Sequence, residues 1–442
     1  MQQTGQGVRQ LYSLLFYAVA PFLFTRLLWK SVRTPAYRQR ISERFGFYPG
    51  QPRNTHSIWI HAVSVGECEA AFLIIKALMR QGENSFLITC TTPTGSARVR
   101  EVLGNDVEHV YLPYDIPDAI RRFFGHFRPR LALIMETEIW PNLFHACGKR
   151  KVPLAILNGR LSERSARGYA KLGSLAKSSL SQVNQIAAQS RPDAERFIAI
   201  GAIPNKVSVL GNIKFDIEFD ETLRNQSLEL RRSLFQGRPV WIAGSTHSGE
   251  EELILDALAR IQVDFPDILL ILAPRHPERA GDVRALCEGR ALSVQTRSEN
   301  RECDDKTSIF LIDGIGELRK FYGTADVAFV GGSLIPHGGQ NVLEAAAVGI
   351  PVIFGPYMMN FDEITRNLLA SGGGVQIDTP DLLADWILRF LREPSLALDY
   401  GDKGKSFIEG NRGALDRVIT MVDDLLCQAA MCHEQAVTKE HS

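Results

Sequence analysis

Two pairs of adjacent glycines, at 331–332 and 338–339, lie in the stretch 330–361, which reads VGGSLIPHGGQNVLEAAAVGIPVIFGPYMMNF. The first pair follows an apolar run, and the second precedes Asn341 and a helical pattern. This layout predicts a strand, a glycine-rich loop and a helix at the carboxyl edge of a parallel sheet. Backbone N–H groups there suit a phosphate, while the carboxylate of Glu344 suits ribose hydroxyls. The alternative is a tight turn without a ligand.

Three more loops in the second half of the chain carry groups that suit a nucleotide. The turn GSTHSGEE (244–251) offers hydroxyl and N–H groups. The run APRHPER (273–279) places the planar fork of Arg275 beside His276, where it can bind a phosphate or a base edge. The run IDGIGELRKFY (312–322) puts backbone groups at a helix start. The predicted nucleotide or nucleotide-sugar pocket therefore includes Arg275, Ile315, Gly316, Glu317, Asn341 and Glu344.

The first half of the chain has a candidate general base in the motif HAVSVGE. Glu67 opens a helix whose positive end favours the ionised carboxylate, so it is placed to accept a proton from a hydroxyl group. The alternative is a helix-terminal carboxylate that serves stability only. His61, at the end of the preceding strand, is expected to be a satisfied structural histidine.

Two further charged motifs flank predicted strands. In METEIWPN, Glu136 and Glu138 point to opposite sides if the strand continues, so at most one, Glu136, is expected to face a ligand. It could orient another side chain, or be an ordinary loop residue. In GNIKFD, Lys214 lies at the predicted domain junction, where a cation can meet charge on a leaving phosphate. The alternative is a solvated linker lysine.

The elements that position these residues alternate between apolar runs and helical patterns, which predicts an α/β protein with parallel, doubly wound sheets. The predicted strands are 58–62, 85–90, 108–113, 131–135, 153–157, 185–189, 206–210, 240–244, 268–274, 308–312, 326–330, 351–355 and 374–377. The resulting division is an anchor and basic collar at 1–45, an N-terminal domain at 46–212, a linker with a short helix at 213–238, a C-terminal domain at 239–432 and a flexible tail at 433–442. Two such domains place ligands in a cleft between facing carboxyl ends.

The N-terminal stretch 11–29, LYSLLFYAVAPFLFTRLLW, is apolar and close to the length of about 20 residues that a spanning helix needs. It lacks a small-residue cleavage site, which favours an uncleaved membrane anchor over a signal peptide. A basic collar follows, which predicts that residues 45–442 are cytoplasmic and that anionic head groups can bind there. The collar consists of Lys30, Arg33, Arg38, Arg40 and Arg44. The alternative is a buried first helix of a globular domain.

The composition excludes several classes of function. Lys and Arg number 50 and Asp and Glu number 50, and no basic stretch is interleaved with aromatic residues, so no nucleic-acid partner is expected. The 7 cysteines are scattered, which indicates neither a disulfide framework nor a zinc site. A reducing, cytosolic compartment fits this pattern.

Taken together, the motifs SVGE, TTPTGS, YLPYD, METEIWPN, NGRLSERS, GNIKFD, GSTHSGEE, PRHPER and GGQNVLEAAAVGIPVIFGP resemble the bacterial 3-deoxy-D-manno-octulosonic acid (Kdo) transferase family. The resemblance runs from about residue 10 to residue 420. It implies a GT-B glycosyltransferase with two Rossmann-like domains facing a cleft, held by its N-terminal helix at the cytoplasmic face of the inner membrane. It also implies inverting transfer of Kdo from CMP-Kdo to the lipid A precursor (lipid IVA) in lipopolysaccharide biosynthesis, without a metal or cofactor.

Carried over by motif, the resemblance implies three catalytic residues. Glu67 is the general base, Glu136 is a transition-state partner and Lys214 has a similar stabilising role. The implied contacts to CMP fall on Pro274, Arg275, Ile315, Gly316, Glu317, Asn341, Val342, Leu343 and Glu344. Two other classes of protein are alternatives. A nucleotide-sugar epimerase on the same fold would not need the anchor, and a non-catalytic nucleotide sensor would not need Glu67.

Overall fold

The computed structural model describes residues 2–217, 219–235, 237–314 and 316–440, so Ile315 of the predicted pocket lies outside the described residues. The chain forms two compact units. The first unit comprises Met1–Ile213 and Gly413–Ser442, and the second comprises Lys214–Arg412.

The strands of the described residues are named β1 to β14 in chain order. They are Ile58–His61, Phe86–Cys90, Glu108–Tyr111, Leu131–Met135, Leu154–Gly159, Gln185–Ala188, Val207–Val209, Val240–Thr246, Leu269–Pro274, Val294–Thr296, Ile309–Leu311, Val327–Val330, Val352–Phe354 and Gly374–Gln376.

The helices, α1 to α17, follow the same order. They are Gln2–Arg33, Val65–Arg80, Pro93–Leu103, Pro117–Phe127, Pro141–Arg150, Glu163–Lys171, Ser174–Leu180, Arg191–Ala199, Glu221–Phe235, Glu251–Ile261, Ala280–Gly289, Leu318–Tyr322, Leu343–Val348, Asp362–Ala370, Pro380–Arg392, Pro394–Asn411 and Ala414–Glu440.

Each unit contains one parallel sheet. The strand order is β3-β2-β1-β4-β5-β6-β7 in the first unit and β10-β11-β9-β8-β12-β13-β14 in the second. The central strands β1, β2, β4, β8 and β9 are almost continuously buried, as expected for parallel strands covered by helices on both faces. The predicted doubly wound α/β architecture is confirmed. The short edge strand β10 was missed.

Several helices begin at residues whose side chains satisfy the first free N–H groups. The hydroxyls of Thr92, Ser162, Ser190 and Thr379 each accept a hydrogen bond from the N–H three residues further on. Helices α3, α4, α5, α8, α15 and α16 also carry proline in their first turn, where its missing N–H costs nothing. These caps fix where each helix leaves its strand, and so shape the loops at the carboxyl edges of the sheets.

The predicted linker and tail differ from the structure. Residues 221–235 form α9, whose Leu234 and Phe235 are buried in the core of the second unit, so the stretch 213–238 belongs largely to that unit. Residues 433–440 continue α17 as helix, since 415–440 contains no glycine or proline to end it.

Helix α17 also corrects the assignment of the C-terminal residues to the second domain. It packs against α2 and β4 of the first unit. Its apolar side chains join the core that covers one face of the first sheet: Ala414, Val418, Ile419, Val422 and Leu425. The amphipathic pattern of this helix predicted one buried face, but a pattern does not specify the partner surface.

Helix α1 contains the apolar N-terminal stretch and is long and apolar enough to cross a membrane over 7–32, a window that is 11% buried. It nevertheless packs on α5 and α7 of the first unit. Ser13 donates a 2.9 Å hydrogen bond to Asn142, and Tyr17 donates a 2.6 Å bond to Asp118. The helix therefore has one side bonded to the unit, and much of its apolar surface is uncovered.

Two arginines of the predicted basic collar point into the first unit. Arg44 is buried, donates a 2.9 Å hydrogen bond to the carbonyl of Thr91 and stacks 4.2 Å from the ring centre of Tyr111. Arg40 donates a 2.8 Å bond to Ser96 and stacks on the same ring. These two arginines stabilise the fold, which leaves Lys30 and Arg38 as the collar residues with described, accessible side chains.

Candidate active site

Glu67 lies in the first turn of α2, directly after the loop that follows β1. Its Oε2 accepts a 2.8 Å hydrogen bond from the N–H of Val63, and its Oε1 accepts a 3.1 Å bond from the hydroxyl of Ser64. The N–H of Glu67 in turn donates to the Ser64 hydroxyl at 3.4 Å. This arrangement resembles a capping box, except that the carboxylate accepts from the N–H of the residue before the N-cap, and it fixes the carboxylate at the carboxyl edge of the sheet.

Burial, and after it the charges of Glu136 and Glu138, raise the pKa of Glu67 to about 7, against the opposing hydrogen bond from Val63. The helix terminus, which was expected to favour the ionised form, is therefore not the dominant influence on this carboxyl group. Desolvation and two like charges outweigh the helix dipole, whose contribution is small. A carboxyl group that titrates near neutral pH is well matched to transfer of a proton.

The turn after β4 brings both carboxylates of METE towards Glu67. Strand β4 ends at Met135, and Glu136 adopts a left-handed backbone conformation with φ of 56°. Because the strand stops there, the alternation that was expected to send Glu138 to the other side does not apply. Burial and then the charge of Glu136 raise the pKa of Glu138 above its ordinary value. Three carboxylates thus form one acidic group in the first unit.

A cavity of about 310 Å³ opens beside this acidic group, and Glu138 is part of its wall. Tyr12 of α1, Trp140 and Tyr169 supply aromatic surface, and Leu172 and Leu175 supply apolar surface. Aromatic faces with a carboxylate between them can bind a sugar, whose ring has both C–H and hydroxyl faces. The sequence did not single out Tyr12, Trp140, Tyr169 or this role for Glu138.

Other residues weighed in the first unit have structural roles. His61 is fully buried, its Nδ1 lies 2.9 Å from the hydroxyl of Thr89, and burial lowers its pKa to about 4. Among the described residues its Nε2 has no hydrogen-bond partner. These contacts agree with a structural histidine, although one nitrogen stays unsatisfied.

Lys214 lies in a short 3₁₀ turn, Ile213–Phe215, and is half-buried. Its neighbours anchor the turn: Ile213 is buried in the core of the first unit and donates a 3.1 Å hydrogen bond to Asn158, while Phe215 packs edge to face against Phe407 of the second unit. The lysine begins the second unit, and its flanking residues are packed rather than solvated as in a free linker.

The glycine loop after β12 differs from the predicted phosphate cradle. The carboxylate of Glu250 accepts hydrogen bonds of 2.7 Å from Gly332 N–H, 3.0 Å from Ser333 N–H and 2.9 Å from Leu334 N–H. These backbone groups are therefore satisfied by the protein itself and are not bare. The loop 244–251, also expected to bind phosphate, supplies this carboxylate.

Arg275 follows β9 directly, and its N–H donates a 2.9 Å hydrogen bond to the carbonyl of Thr246. Nearby, the guanidinium of Arg279 makes two hydrogen bonds to the buried carboxylate of Glu251, at 2.9 Å and 3.2 Å. Arg279 is therefore a structural cation. No such pair is found for the guanidinium of Arg275 within the described residues, so it is the cation of this motif that can bind a ligand.

The remaining predicted pocket residues make hydrogen bonds or are buried within the second unit. Arg297 pairs with both carboxylate oxygens of Glu317 at 3.2 Å, so only the backbone of Gly316 and Glu317 is available to a base. Asn341 accepts a 3.1 Å bond from the N–H of Leu343. The side chains of Val342 and Leu343 are fully buried, which leaves their backbone, Asn341 and Glu344 for a ligand.

Within each unit, the structure thus groups the predicted residues into two sets. Glu67 and Glu136 act on each other electrostatically in the first unit, and Arg275 and Asn341–Glu344 follow β9 and β12, the two strands that flank β8, in the second. In the described part of the chain, no group of three or more His, Cys, Asp or Glu side chains is arranged to hold a metal ion. The expectation of a metal-free reaction stays a prediction.

The chain is similar in sequence to known protein families. The family model "3-Deoxy-D-manno-octulosonic-acid transferase (kdotransferase)" matches residues 39–217, and the model "Glycosyl transferases group 1" matches residues 250–407. A 3-deoxy-D-manno-octulosonic acid transferase from Haemophilus influenzae is 39% identical over 95% of this chain and 99% of its own. One from Bordetella pertussis is 32% identical over 96% and 100%.

Among solved structures, a putative UDP-N-acetylglucosamine 2-epimerase from Listeria monocytogenes aligns with a TM-score of 0.52 and 14% identity, covering 85% of this chain and 98% of that one. The UDP-GlcNAc 2-epimerase from Neisseria meningitidis also aligns with a TM-score of 0.52, at 12% identity, over 84% of this chain and 100% of its own. At these identities the likeness concerns the fold alone. It agrees with a two-domain glycosyltransferase-type architecture and carries no information on the reaction.

Proposed function

The chain belongs to the 3-deoxy-D-manno-octulosonic acid (Kdo) transferase family and is a glycosyltransferase, and on that premise we propose its acceptor, mechanism and catalytic residues. It transfers Kdo from CMP-Kdo to the lipid A precursor, lipid IVA, with inversion. The observation that carries the mechanism is Glu67, whose burial beside Glu136 and Glu138 places its pKa at about 7.

Glu67 acts as the general base. At neutral pH about half of a group with this pKa is ionised, and its conjugate acid is weak enough to make it an effective base. It accepts the proton of the attacking sugar hydroxyl, whose oxygen forms a bond to the anomeric carbon of Kdo while the bond from that carbon to the phosphate oxygen breaks. CMP leaves with the bonding electrons. A single displacement of this kind inverts the anomeric centre.

Glu136 keeps the pKa of Glu67 high, because a nearby negative charge disfavours a second one. We propose that this electrostatic effect is how Glu136 acts as the partner of the general base. Because its backbone is held in a left-handed turn and its N–H donates a 2.9 Å bond to Leu157, the position of the residue is well defined.

Arg275 and Lys214 stabilise the departing CMP. The guanidinium of Arg275 presents a planar fork that matches a phosphate, and a lysine ammonium supplies a point charge. The CMP contacts that we propose are Pro274, Arg275, Ile315, Gly316, Glu317, Asn341, Val342, Leu343 and Glu344. The buried Val342 and Leu343 contribute through their backbone, and Ile315 rests on the resemblance alone.

We further propose that α1 holds the protein at the cytoplasmic face of the inner membrane. Its exposed apolar side chains support this: Leu11 is 68%, Leu14 66%, Phe22 69% and Trp29 67% exposed. The accessible collar residues Lys30 and Arg38 add attraction to anionic head groups. The protein would then bind a lipid acceptor at the membrane in which the acyl chains of that lipid lie.

The experiment that tests the proposed function is transfer from freshly generated CMP-Kdo to tetra-acylated lipid A precursor, read by product mass. Wild type should add one or more Kdo units. Glu67→Gln should lose activity by about 10²- to 10⁴-fold while retaining CMP binding. Glu69→Gln, on the same helix and exposed, is the matched control and should keep activity. Absence of any mass gain with an active donor would refute the acceptor, and full activity in Glu67→Gln would remove Glu67 from its role.

A further inference from the structure

Three histidines meet at the carboxyl edge of the second sheet, outside the residues so far given a role. His247 follows β8, His276 follows β9 and His337 lies in the loop after β12, and these three strands are neighbours in the order β9-β8-β12. The rings of His247 and His337 are stacked, with centres 4.5 Å apart and planes 12° apart. The ring of His276 lies 5.9 Å from that of His247, edge to face.

The cluster also has a defined polar contact. Nε2 of His247 lies 3.0 Å from Nε2 of Gln340, in the glycine loop. A side chain at Gly332 would approach this pair, since a Cβ there would lie 3.2 Å from the ring of His247. The glycine therefore leaves space for the imidazole at the mouth of the loop.

The charged groups around the cluster are mainly cationic. Burial, and after it the nearby His337, His276, Arg275 and Arg279, lower the pKa of His247 to about 4. Arg279 is neutralised by Glu251, as described above, whereas Arg275 is not. The cluster thus places imidazoles and a guanidinium together, and their mutual repulsion disfavours protonation.

The acidic groups that face the cluster are Glu250, Glu251 and Glu278. The carboxylate of Glu250 is occupied by three backbone N–H groups of the glycine loop and also lies 3.4 Å from the N–H of His247. Glu251 pairs with Arg279, and the exposed Glu278 lies 3.6 Å from Nδ1 of His276. In the described part of the chain, no carboxylate pairs with the ring of His247 or of His337.

We propose that His247, His276 and His337, together with Arg275, form an oxyanion site that binds an anionic group of the donor, either its phosphate or its sugar carboxylate. This inference rests on the proposed function, because it assumes a CMP-linked sugar acid as the donor. The imidazoles donate N–H hydrogen bonds to the anion, and the guanidinium supplies a permanent charge.

Proton uptake follows from this arrangement. A bound anion favours the charged form of an imidazole, so the pKa of His247 is higher in the complex than in the free protein. A group whose pKa rises when the ligand binds makes binding stronger at low pH. This contribution to affinity is lost as the pH rises through the pKa of the group in the complex. Affinity should therefore fall as the pH rises above about 4, the pKa of His247 in the free protein.

The test is calorimetric titration of the full-length protein with CMP and with cytidine, at several pH values and in two buffers that differ in ionisation enthalpy. His337→Gln is the main variant, because His337 is exposed and its replacement should not disturb folding. His247→Gln is the second. Lys403→Gln, which removes an exposed cation from the same unit, is the matched control. Comparison with these variants separates proton uptake by the protein from titration of the phosphate of CMP.

If the cluster binds the phosphate, both histidine variants should weaken CMP by about tenfold, the effect of losing a hydrogen bond to a charged group, and should reduce proton uptake, with cytidine unchanged. If it binds the carboxylate, CMP affinity should stay the same while the KM for CMP-Kdo rises by a similar factor. The proposal is overturned if both the CMP affinity and the KM for CMP-Kdo match those of the wild type in both variants.

These outcomes are distinct from failure of the proposed function. A protein that binds CMP through the histidines but transfers no Kdo would leave the oxyanion site standing and remove the transfer assignment. A protein that transfers Kdo normally in both histidine variants, with unchanged donor affinity, would remove the oxyanion site alone.

Discussion

The carboxylate of Glu250 accepts a 2.7 Å hydrogen bond from the backbone N–H of Gly332, and so a protein side chain occupies the loop where sequence reasoning placed a ligand phosphate. Gly332 needs its positive φ of 65°, and a Cβ on the preceding Gly331 would lie 2.8 Å from the same carboxylate. The glycines therefore serve close packing around a buried acid, and the anion-binding groups of this unit are side chains on neighbouring loops.

Replacement of Glu250 by alanine should destabilise the second unit. The substitution leaves the N–H groups of Gly332, Ser333 and Leu334 buried without partners, and a cost of about 3 kcal/mol is expected from groups of this kind. Urea denaturation of the variant measures it. Glu409→Ala, at an exposed residue of α16, should stay within about 0.5 kcal/mol of the wild type. An equally small effect for Glu250→Ala would contradict the structural role.

Activity should rise with pH as Glu67 loses its proton. We expect the acid limb of kcat/KM for the acceptor to have its midpoint near 7, since burial and two carboxylates place the pKa of Glu67 there. Glu136→Gln removes one of the negative charges and should move this midpoint to lower pH. Glu163→Gln, an exposed residue of α6, serves as the control with no shift. A midpoint that does not move in Glu136→Gln would show that the charge of Glu136 does not raise the pKa of Glu67.

The raised pKa of Glu67 also has a consequence for stability. The native protein holds this proton between the ordinary value of 4.5 and about 7, whereas the unfolded chain releases it, so stability falls as the pH rises through that window. Glu67→Gln lacks this loss and should be more stable than the wild type by about 3 kcal/mol at pH 8.

The difference should shrink towards pH 5.5, where the carboxyl group of the wild type is protonated in the native state. Thermal denaturation at the two pH values measures it, with Glu69→Gln beside it. A variant that is less stable than the wild type at pH 8 would show that the capping hydrogen bonds of Glu67 outweigh the cost of burying its charge.

Membrane binding should depend on the outward side of α1. Leu14 and Leu15 are 66% and 59% exposed, and each leucine side chain that enters an apolar phase contributes about 1.5 to 3 kcal/mol. The double change to glutamine should therefore lower the partition coefficient into anionic vesicles at least tenfold, without loss of fold. Val263→Gln, at a 79% exposed position of the second unit, is the control. Unchanged partition of the double variant in a sedimentation assay would argue against α1 as the anchor.

Much of the fold follows from local pattern, because buried parallel strands are continuous apolar runs. Strand β10, Val294–Thr296, escaped because it is a three-residue edge strand with two polar residues. The packing of α17 on α2 escaped for a different reason, since an amphipathic helix specifies an apolar face but not the surface that covers it.

A site residue could be predicted from the sequence where its type and its place at the end of a strand determine where its side chain lies. Glu67 and Arg275 were placed near the ends of β1 and β9 in this way, and the structure has both there. Glu138 was misplaced, because its direction depended on whether β4 continued past Met135, and a left-handed Glu136 ends the strand there. The histidine cluster required knowledge of which strands are neighbours, and His337 is 90 residues away from His247 in the chain.

The path of the chain through the two units has a consequence for synthesis. The first unit is interrupted after Ile213 and resumes at Gly413, so the whole second unit emerges from the ribosome before α17 does. Until then, the apolar surface of α2 and β4 that Val418 and Val422 cover stays open. The part of the protein that is made first is thus completed last, and the interval during which it must avoid aggregation is set by the length of the domain inserted into it.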